Sequence, residues 1–245
     1  MHRQLLALLG ANKGRGMGLR ADAAAGSTTI YLYDFIAGSE EEAFWFGGVA
    51  PKQLADQFIA ARGQPVTLRV NSPGGDVFGG RAMQQIIAGH DSPVMVIVDG
   101  VAASAASYLI QAASRIEMAD GAMIMIHKAW GLAIGNSDEM MSTAAVLEKI
   151  DQTLVETYAA AAARRGVDAS DFAAMMQAET WFTGSEAIAA GLADGPVAGK
   201  AQAFMWDLSA YERAPAIANE DADFIKNDIE HERRRLRARL LELTA

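Results

Sequence analysis

Apolar and polar positions follow two periods along this chain. Thr28-Thr-Ile-Tyr-Leu-Tyr33 is β-branched and aromatic, and Val66-Thr-Leu-Arg-Val70 alternates with period two. Both read as strands. Val94-Met-Val-Ile-Val98 and Ala122-Met-Ile-Met-Ile126 are unbroken apolar runs, as in buried parallel strands. Between them the period lengthens to that of a helix. Pro51 opens one at Pro51–Ile59, with Leu54, Ala55 and Phe58 on one face. Phe78–Ala88 carries Met83, Ile86 and Ile87 inward, and Ala102–Ala112 is a run of small helix formers. Asp138 to about Ala163 predicts a long helix, Asp168–Ala178 and Ser185–Ala190 short ones. Strands separated by helices imply right-handed crossovers and a largely parallel sheet with covered faces, an α/β fold.

The flanks differ from this middle. Residues 1–26 are rich in Gly, Ala and Arg and read as a flexible arm. Residues 27–208 form the domain. Residues 209–245 form a charged tail, acidic and then basic, with a helical pattern over 220–243 in which Leu236, Leu240 and Leu243 recur.

Composition narrows the function. A chain of 245 residues with 51% hydrophobic positions can bury one sizeable core. A net charge of −9 lowers the prior for a nucleic-acid binder. The absence of cysteine removes disulfides, thiolate metal sites and cysteine nucleophiles. No apolar run reaches the roughly 18 residues of a membrane span, and Leu5–Leu9 falls short of a secretory core. A soluble intracellular protein is expected. His231-Glu-Arg-Arg-Arg lacks the second histidine of a zinc helix, and no phosphate-binding loop occurs. No metal and no cofactor are expected.

Three segments could carry chemistry, each at the end of a strand. Asn71-Ser-Pro-Gly-Gly-Asp-Val77 has two glycines that free the backbone at a strand-to-helix turn, where N–H groups can meet an anion. It is also an ordinary turn. Asp99-Gly-Val-Ala-Ala-Ser-Ala-Ala-Ser107 places Ser104 before a helix, as a cap or as a nucleophile. Of four histidines, His2 and His231 lie in the flanks and His90 ends a helix. Only His127 leaves a buried strand, so Ser104 and His127 are the natural nucleophile and base.

Asn71-Ser-Pro-Gly-Gly75, Ala102-Ala-Ser104, Met125-Ile-His127 and Trp181-Phe-Thr-Gly-Ser-Glu-Ala187, continuing into Gly191-Leu-Ala-Asp194, together resemble the Clp protease family of self-compartmentalised serine peptidases. The likeness covers roughly residues 28–198. Tyr31-Leu-Tyr33, Gly-Gly-Asp-Val-Phe78 and Glu179-Thr-Trp-Phe182 look closest to its phage branch, the head maturation (prohead) proteases. The resemblance implies a ClpP/crotonase-like fold of repeated β-β-α and βαβ units, with a protruding handle helix over about 131–165. It implies Ser104 as nucleophile, His127 as base and Glu179 as third member, where the housekeeping peptidases carry Asp. Asp168 and Asp171 are fallbacks by proximity. Gly75 and Ala105 would donate the oxyanion-hole N–H groups, and Ser72, Pro73 and Gly74 would line an extended substrate.

The implied reaction is peptide hydrolysis through an acyl-enzyme. The implied substrate is scaffold or capsid protein, cut during prohead assembly in the host cytoplasm or inside the prohead. The implied assembly is a homo-oligomeric ring, a heptamer or stacked rings, without nucleic acid or membrane. An ATPase-fed bacterial Clp peptidase subunit is the alternative in the same class, and a catalytically silent shell or scaffold protein the alternative in another. Signal-peptide peptidases use a Ser–Lys pair and an anchor, and acyl-CoA enzymes of the crotonase type have no use for the Ser104/His127 pair.

Overall fold

The computed structural model describes residues 8, 10–131, 133–168, 171–200 and 206–215. The chain divides into two units, Met1–Arg213 and Ala214–Ala245. Only 214 and 215 of the second are described, so the helical tail expected over 220–243 lies outside the described residues.

The first unit is mixed α/β. Its strands are β1 (Gly18–Ala24), β2 (Ser27–Tyr33), β3 (Val66–Ser72), β4 (Val94–Ala103), β5 (Arg115–Asp120), β6 (Met123–Ile126), β7 (Thr180–Thr183) and β8 (Gly195–Lys200). Its helices are α1 (Glu40–Phe46), α2 (Pro51–Ala60), α3 (Val77–Ala88), α4 (Ala105–Leu109), α5 (Ser137–Arg164), α6 (Phe172–Gln177) and α7 (Gly184–Ala189). The strands form one eight-stranded sheet in the order β1-β2-β3-β4-β5-β8, with β6 joined to β4 and β7 to β6. From β2 to β8 along that path every pairing is parallel. The inward rows Ile30, Leu32, Leu68, Val70, Val96 and Val98 are fully buried against the helices.

β4 organises the molecule. Its first half, Met95–Val98, pairs with β5, and its second half, Val101–Ala103, pairs with β6. Ala102 and Ala103 are therefore strand, and the helix expected from Ala102 begins at Ala105. Small side chains suit both states, and pairing with β6 decides between them. The change of partner occurs at Asp99-Gly100. Asp99 is fully buried there, accepting from Tyr33 Oη at 2.6 Å and from Arg69 Nε at 2.8 Å, with the second guanidinium nitrogen on its other oxygen. A buried carboxylate needs such pairing. Burial, with Asp99 beside it, raises the Tyr33 phenol well above its ordinary value.

The N-terminal arm expected over 1–26 is in part sheet. β1 pairs antiparallel with β2 along its whole length. Leu19 and Ala21 pack against the core, while Arg20 stacks on the Tyr31 ring at 4.3 Å. This alternation is that of a half-buried strand, and the surrounding Gly and Ala hid it. Residues 1–7 and 9 lie outside the described residues.

The long helix is present as α5, 28 residues with Asn136 and Glu139 forming a capping box. At 1.5 Å per residue it is about 42 Å long. Its second half buries Leu154, Tyr158, Ala161 and Ala162, whereas Met140, Met141 and Val146 on the first half are exposed. No described helix is long and apolar enough to cross a membrane.

Residues 206–213 pack on the first unit, so the boundary between units falls after Arg213, past the expected 208. Trp206 is buried and donates its Nε1–H to Asn71 Oδ1 at 3.0 Å. Asn12 Nδ2 donates to Asp207 O and Asn12 Oδ1 accepts from Asp207 N, at 2.8 and 2.6 Å.

Candidate active site

Three strand ends converge on one point. Ser72 of β3 lies opposite Ala102 of β4, and Ala103 lies opposite Met125 of β6. This register carries the turn after Ser72, the residue after Ala103 and the residue after Ile126 to one edge of the sheet. The Ser104 N–H donates to Met125 O at 2.9 Å, fixing the serine beside β6. In parallel sheets the carboxyl ends of strands are where sites gather.

Ser104 stands at the N-cap position of α4, yet its hydroxyl caps nothing. It lies 2.7 Å from His127 Nε2. Its backbone has φ 52 and ψ −121, a sharp strand-to-helix turn that few non-glycine residues adopt. Such a conformation costs of order 1–3 kcal/mol and points the side chain away from the helix and toward the imidazole. The hydroxyl meets the hydrogen-bond distance required of a nucleophile and its base.

The Pro-Gly-Gly turn lies across the serine. Gly74 has φ 95, and a Cβ placed on it would stand 2.6 Å from Ala103 O and 2.8 Å from Ser104 Cβ. Gly75 has φ 148, and its Cβ would stand 2.1 Å from Ile36 O. Glycine is required at both positions by close approach as well as by φ. The turn is held by Ile36, whose N–H donates to Gly74 O and whose carbonyl accepts from Asp76 N, each at 2.8 Å. Among the described residues the N–H groups of Gly75 and Ala105 have no hydrogen-bond acceptor. Ser72 Oγ accepts from Gly74 N at 3.2 Å, and Pro73 O accepts from Tyr211 Oη at 2.5 Å.

Beside these groups a cavity of about 350 Å³ reaches toward α5. Gly75, Ser104, Ala105 and His127 line it together with the apolar Val77, Tyr108, Leu147, Ile150, Leu154 and Tyr158.

His127 is buried and enclosed by aromatic rings: Trp130 at 4.6 Å and Tyr211 at 5.4 Å between centroids, both edge-on. Burial pushes its imidazole down to about 4. The neutral form, which a general base requires, therefore persists well below the ordinary histidine value. The rate at which Ser104 reacts is expected to stay level from pH 7 to 5 and to fall through about pH 4. An acid limb centred near 6.5 in a pH–rate profile would contradict this burial.

The acids fall in different places. Asp171 caps α6, accepting from Ala174 N at 2.9 Å, and Asp168 is exposed. Glu179 shares a second cavity with His127. Its carboxylate, however, accepts from Arg213 N at 2.7 Å and Trp181 Nε1 at 3.3 Å through Oε1, and from Glu212 N at 3.0 Å through Oε2. No hydrogen bond between Glu179 and His127 occurs among the described residues. Tyr211, Trp130 and Trp206 at this site went unnoticed in the sequence. Tyr211 carries no motif and sits in a stretch whose composition reads as solvated tail.

The family model for Clp protease matches residues 52–199. The chain belongs to the Clp protease family. The matched span holds Ser104, His127, Glu179 and the Pro-Gly-Gly turn. Curated relatives agree. The ATP-dependent Clp protease proteolytic subunit 1 of Protochlamydia amoebophila is 34% identical over 139 residues, covering 54% of this chain and 65% of the relative. The subunit of the same name from Chlamydia muridarum is 31% identical over 150 residues, 60% of this chain and 77% of the relative. The proteolytic subunit of Bacteroides fragilis is 29% identical, and the chain spans 63% of its length. Thus the chain spans less than two thirds of some of these relatives. A ClpP1 mutant structure from Listeria monocytogenes superposes with a TM-score of 0.57 at 19% identity, over 69% of this chain and 90% of the other. It supports the Clp fold, with the eight-stranded sheet and its helices.

Proposed function

We propose that this chain is a serine endopeptidase of the ClpP type, with Ser104 as nucleophile and His127 as general base. The observation that carries the reading is the 2.7 Å contact between Ser104 Oγ and His127 Nε2 at a strained strand-to-helix turn. His127 takes the serine proton as Oγ attacks a peptide carbonyl. The Gly75 and Ala105 N–H groups receive the oxyanion, each good donor contributing ~3–4 kcal/mol to the transition state. His127 returns the proton to the leaving amine, and water then releases the acyl-enzyme with the roles repeated. Ser72, Pro73 and Gly74 would bind the substrate backbone. Glu179 would be the residue that orients His127 once its carboxylate is free.

The printed names of the relatives, ATP-dependent proteolytic subunits, favour such a subunit working with an ATPase. The head maturation reading, with scaffold or capsid protein as substrate in a host cytoplasm or prohead, has only the motif likeness behind it. A ring-shaped homo-oligomer fits the exposed Met140, Met141 and Val146 of α5 and Phe44, Trp45 and Phe46 of α1. The silent-shell alternative leaves the Ser104–His127 contact and the strained serine without a purpose.

A fluorophosphonate probe tests the assignment. The adduct, located by mass spectrometry, is expected on Ser104 and absent from His127→Ala. A probe adduct confined to any other residue overturns it.

A further inference from the structure

The segment 206–213 runs from Asn71 to Glu179, and its Tyr211 side chain sits inside the site. Tyr211 is 4% exposed. Its ring meets His127, Trp130 and Trp181, with centroids 5.4, 5.2 and 5.8 Å away. Its hydroxyl donates to Pro73 O in the glycine turn expected to bind substrate backbone. Tyr211 also lines the cavity that opens on Ser104. The phenol thus bridges His127 and the Pro-Gly-Gly turn on either side of Ser104.

The segment is anchored at both ends by groups of the site. Before Tyr211, Trp206 donates to Asn71 at the end of β3, and Asp207 is bonded twice by Asn12. After it, the Glu212 and Arg213 N–H groups donate to the two oxygens of Glu179. These two residues are exposed, so their main chain is held by the carboxylate and not by burial. Glu179 itself has φ 48, uncommon for a residue with a Cβ. The carboxylate that the triad would use is thus turned outward to the segment, while the His127 ring is packed by Tyr211.

We infer that residues 206–213 are a tethered occupant of the peptidase site, seated by Tyr211 and clasped by Glu179, and that the peptidase becomes active when this segment leaves. Its departure does two things at once. It clears the approach to Ser104, and it frees the Glu179 carboxylate within the cavity it shares with His127. Glu179 is in this respect a positioning residue that serves the closed and the open form in turn. The seat that Tyr211 vacates, three aromatic rings with a carbonyl acceptor at the end, suits an aromatic or otherwise flat side chain of the incoming substrate.

The inference rests on the serine peptidase reading, and the test separates the two. Fluorophosphonate labelling of Ser104 is timed in the parent protein, in Tyr211→Ala and in Arg213→Pro, with Ser104→Ala as blank. Arg213→Pro removes one donor to Glu179 at an exposed site and leaves the core intact, so it answers the question if Tyr211→Ala folds poorly. Both variants are expected to label at least 10-fold faster than the parent. Their acid limb is expected to move up from about pH 4, because His127 loses one of the two rings that enclose it. Equal rates in parent and folded variants overturn the tethered occupant and leave the peptidase standing. No labelling in the parent or in either folded variant overturns both.

Discussion

Replacing His127 with alanine is expected to lower peptide hydrolysis by about 10⁴–10⁶-fold, the range found when a serine nucleophile loses its base. The size follows from what the imidazole does twice per turnover: it accepts the Ser104 proton on attack and donates it to the leaving amine. Among the described residues no second base is hydrogen-bonded to Ser104. Lys128, the neighbouring cation, is paired with Asp151 at 3.4 Å, and of the acids lining the cavity with Ser104 and His127, Asp76 accepts from Gly79 N and Glu42 from Gly38 N. Because nucleophile and base act as a unit, Ser104→Ala and the double variant should be no worse than about the same factor. Steady-state rates for the three variants, measured in the Tyr211→Ala background so that segment release does not limit, provide the check. Retention of more than a tenth of the parent rate by His127→Ala would remove it from the mechanism.

The Gly75→Ala substitution is expected to cost 10²–10³ in kcat and to lower the melting temperature. The new methyl group would sit 2.1 Å from Ile36 O, a carbonyl already bonded by Asp76 N, so the main chain must move and not the methyl. Movement of this turn swings the Gly75 N–H away from the position of the oxyanion. One lost donor corresponds to about 3–4 kcal/mol in the transition state. Ground-state binding relies on other groups, so KM should change little while kcat falls. A lower melting temperature with unchanged kcat would mean that Gly75 serves the fold alone and that another donor holds the oxyanion.

The candidate nucleophile and base were legible because each stands just after a strand whose apolar run is unmistakable. Val94–Val98 leads to Ser104 and Ala122–Ile126 to His127, and with so few histidines elimination had little to sort. The order of the Gly-Gly, serine and histidine segments then agreed with one family. The long α5 was equally plain, since period and caps coincide at Asn136 and Glu139. Where small residues blur the period, composition misleads. Gly18–Ala24 looked like an arm because its alternation is written in small residues, and only pairing with β2 shows that Leu19 and Ala21 face the core. Ala102 and Ala103 looked helical because alanine is indifferent to the choice that β6 makes for it.

Read alone, the chain specified its fold class, its family and a candidate nucleophile and base, because those depend on local period and on residue types that few chemistries share. Packing settled the rest. Whether the Glu179 carboxylate faces His127 or the main chain of 212–213 depends on a segment more than thirty residues away, and no local pattern records that contact. Tyr211 likewise gains its meaning only from the rings of His127, Trp130 and Trp181 around it. Side-chain roles set by long-range contact belong to the folded molecule, since the free energy that assigns them arises only when distant segments exclude water together.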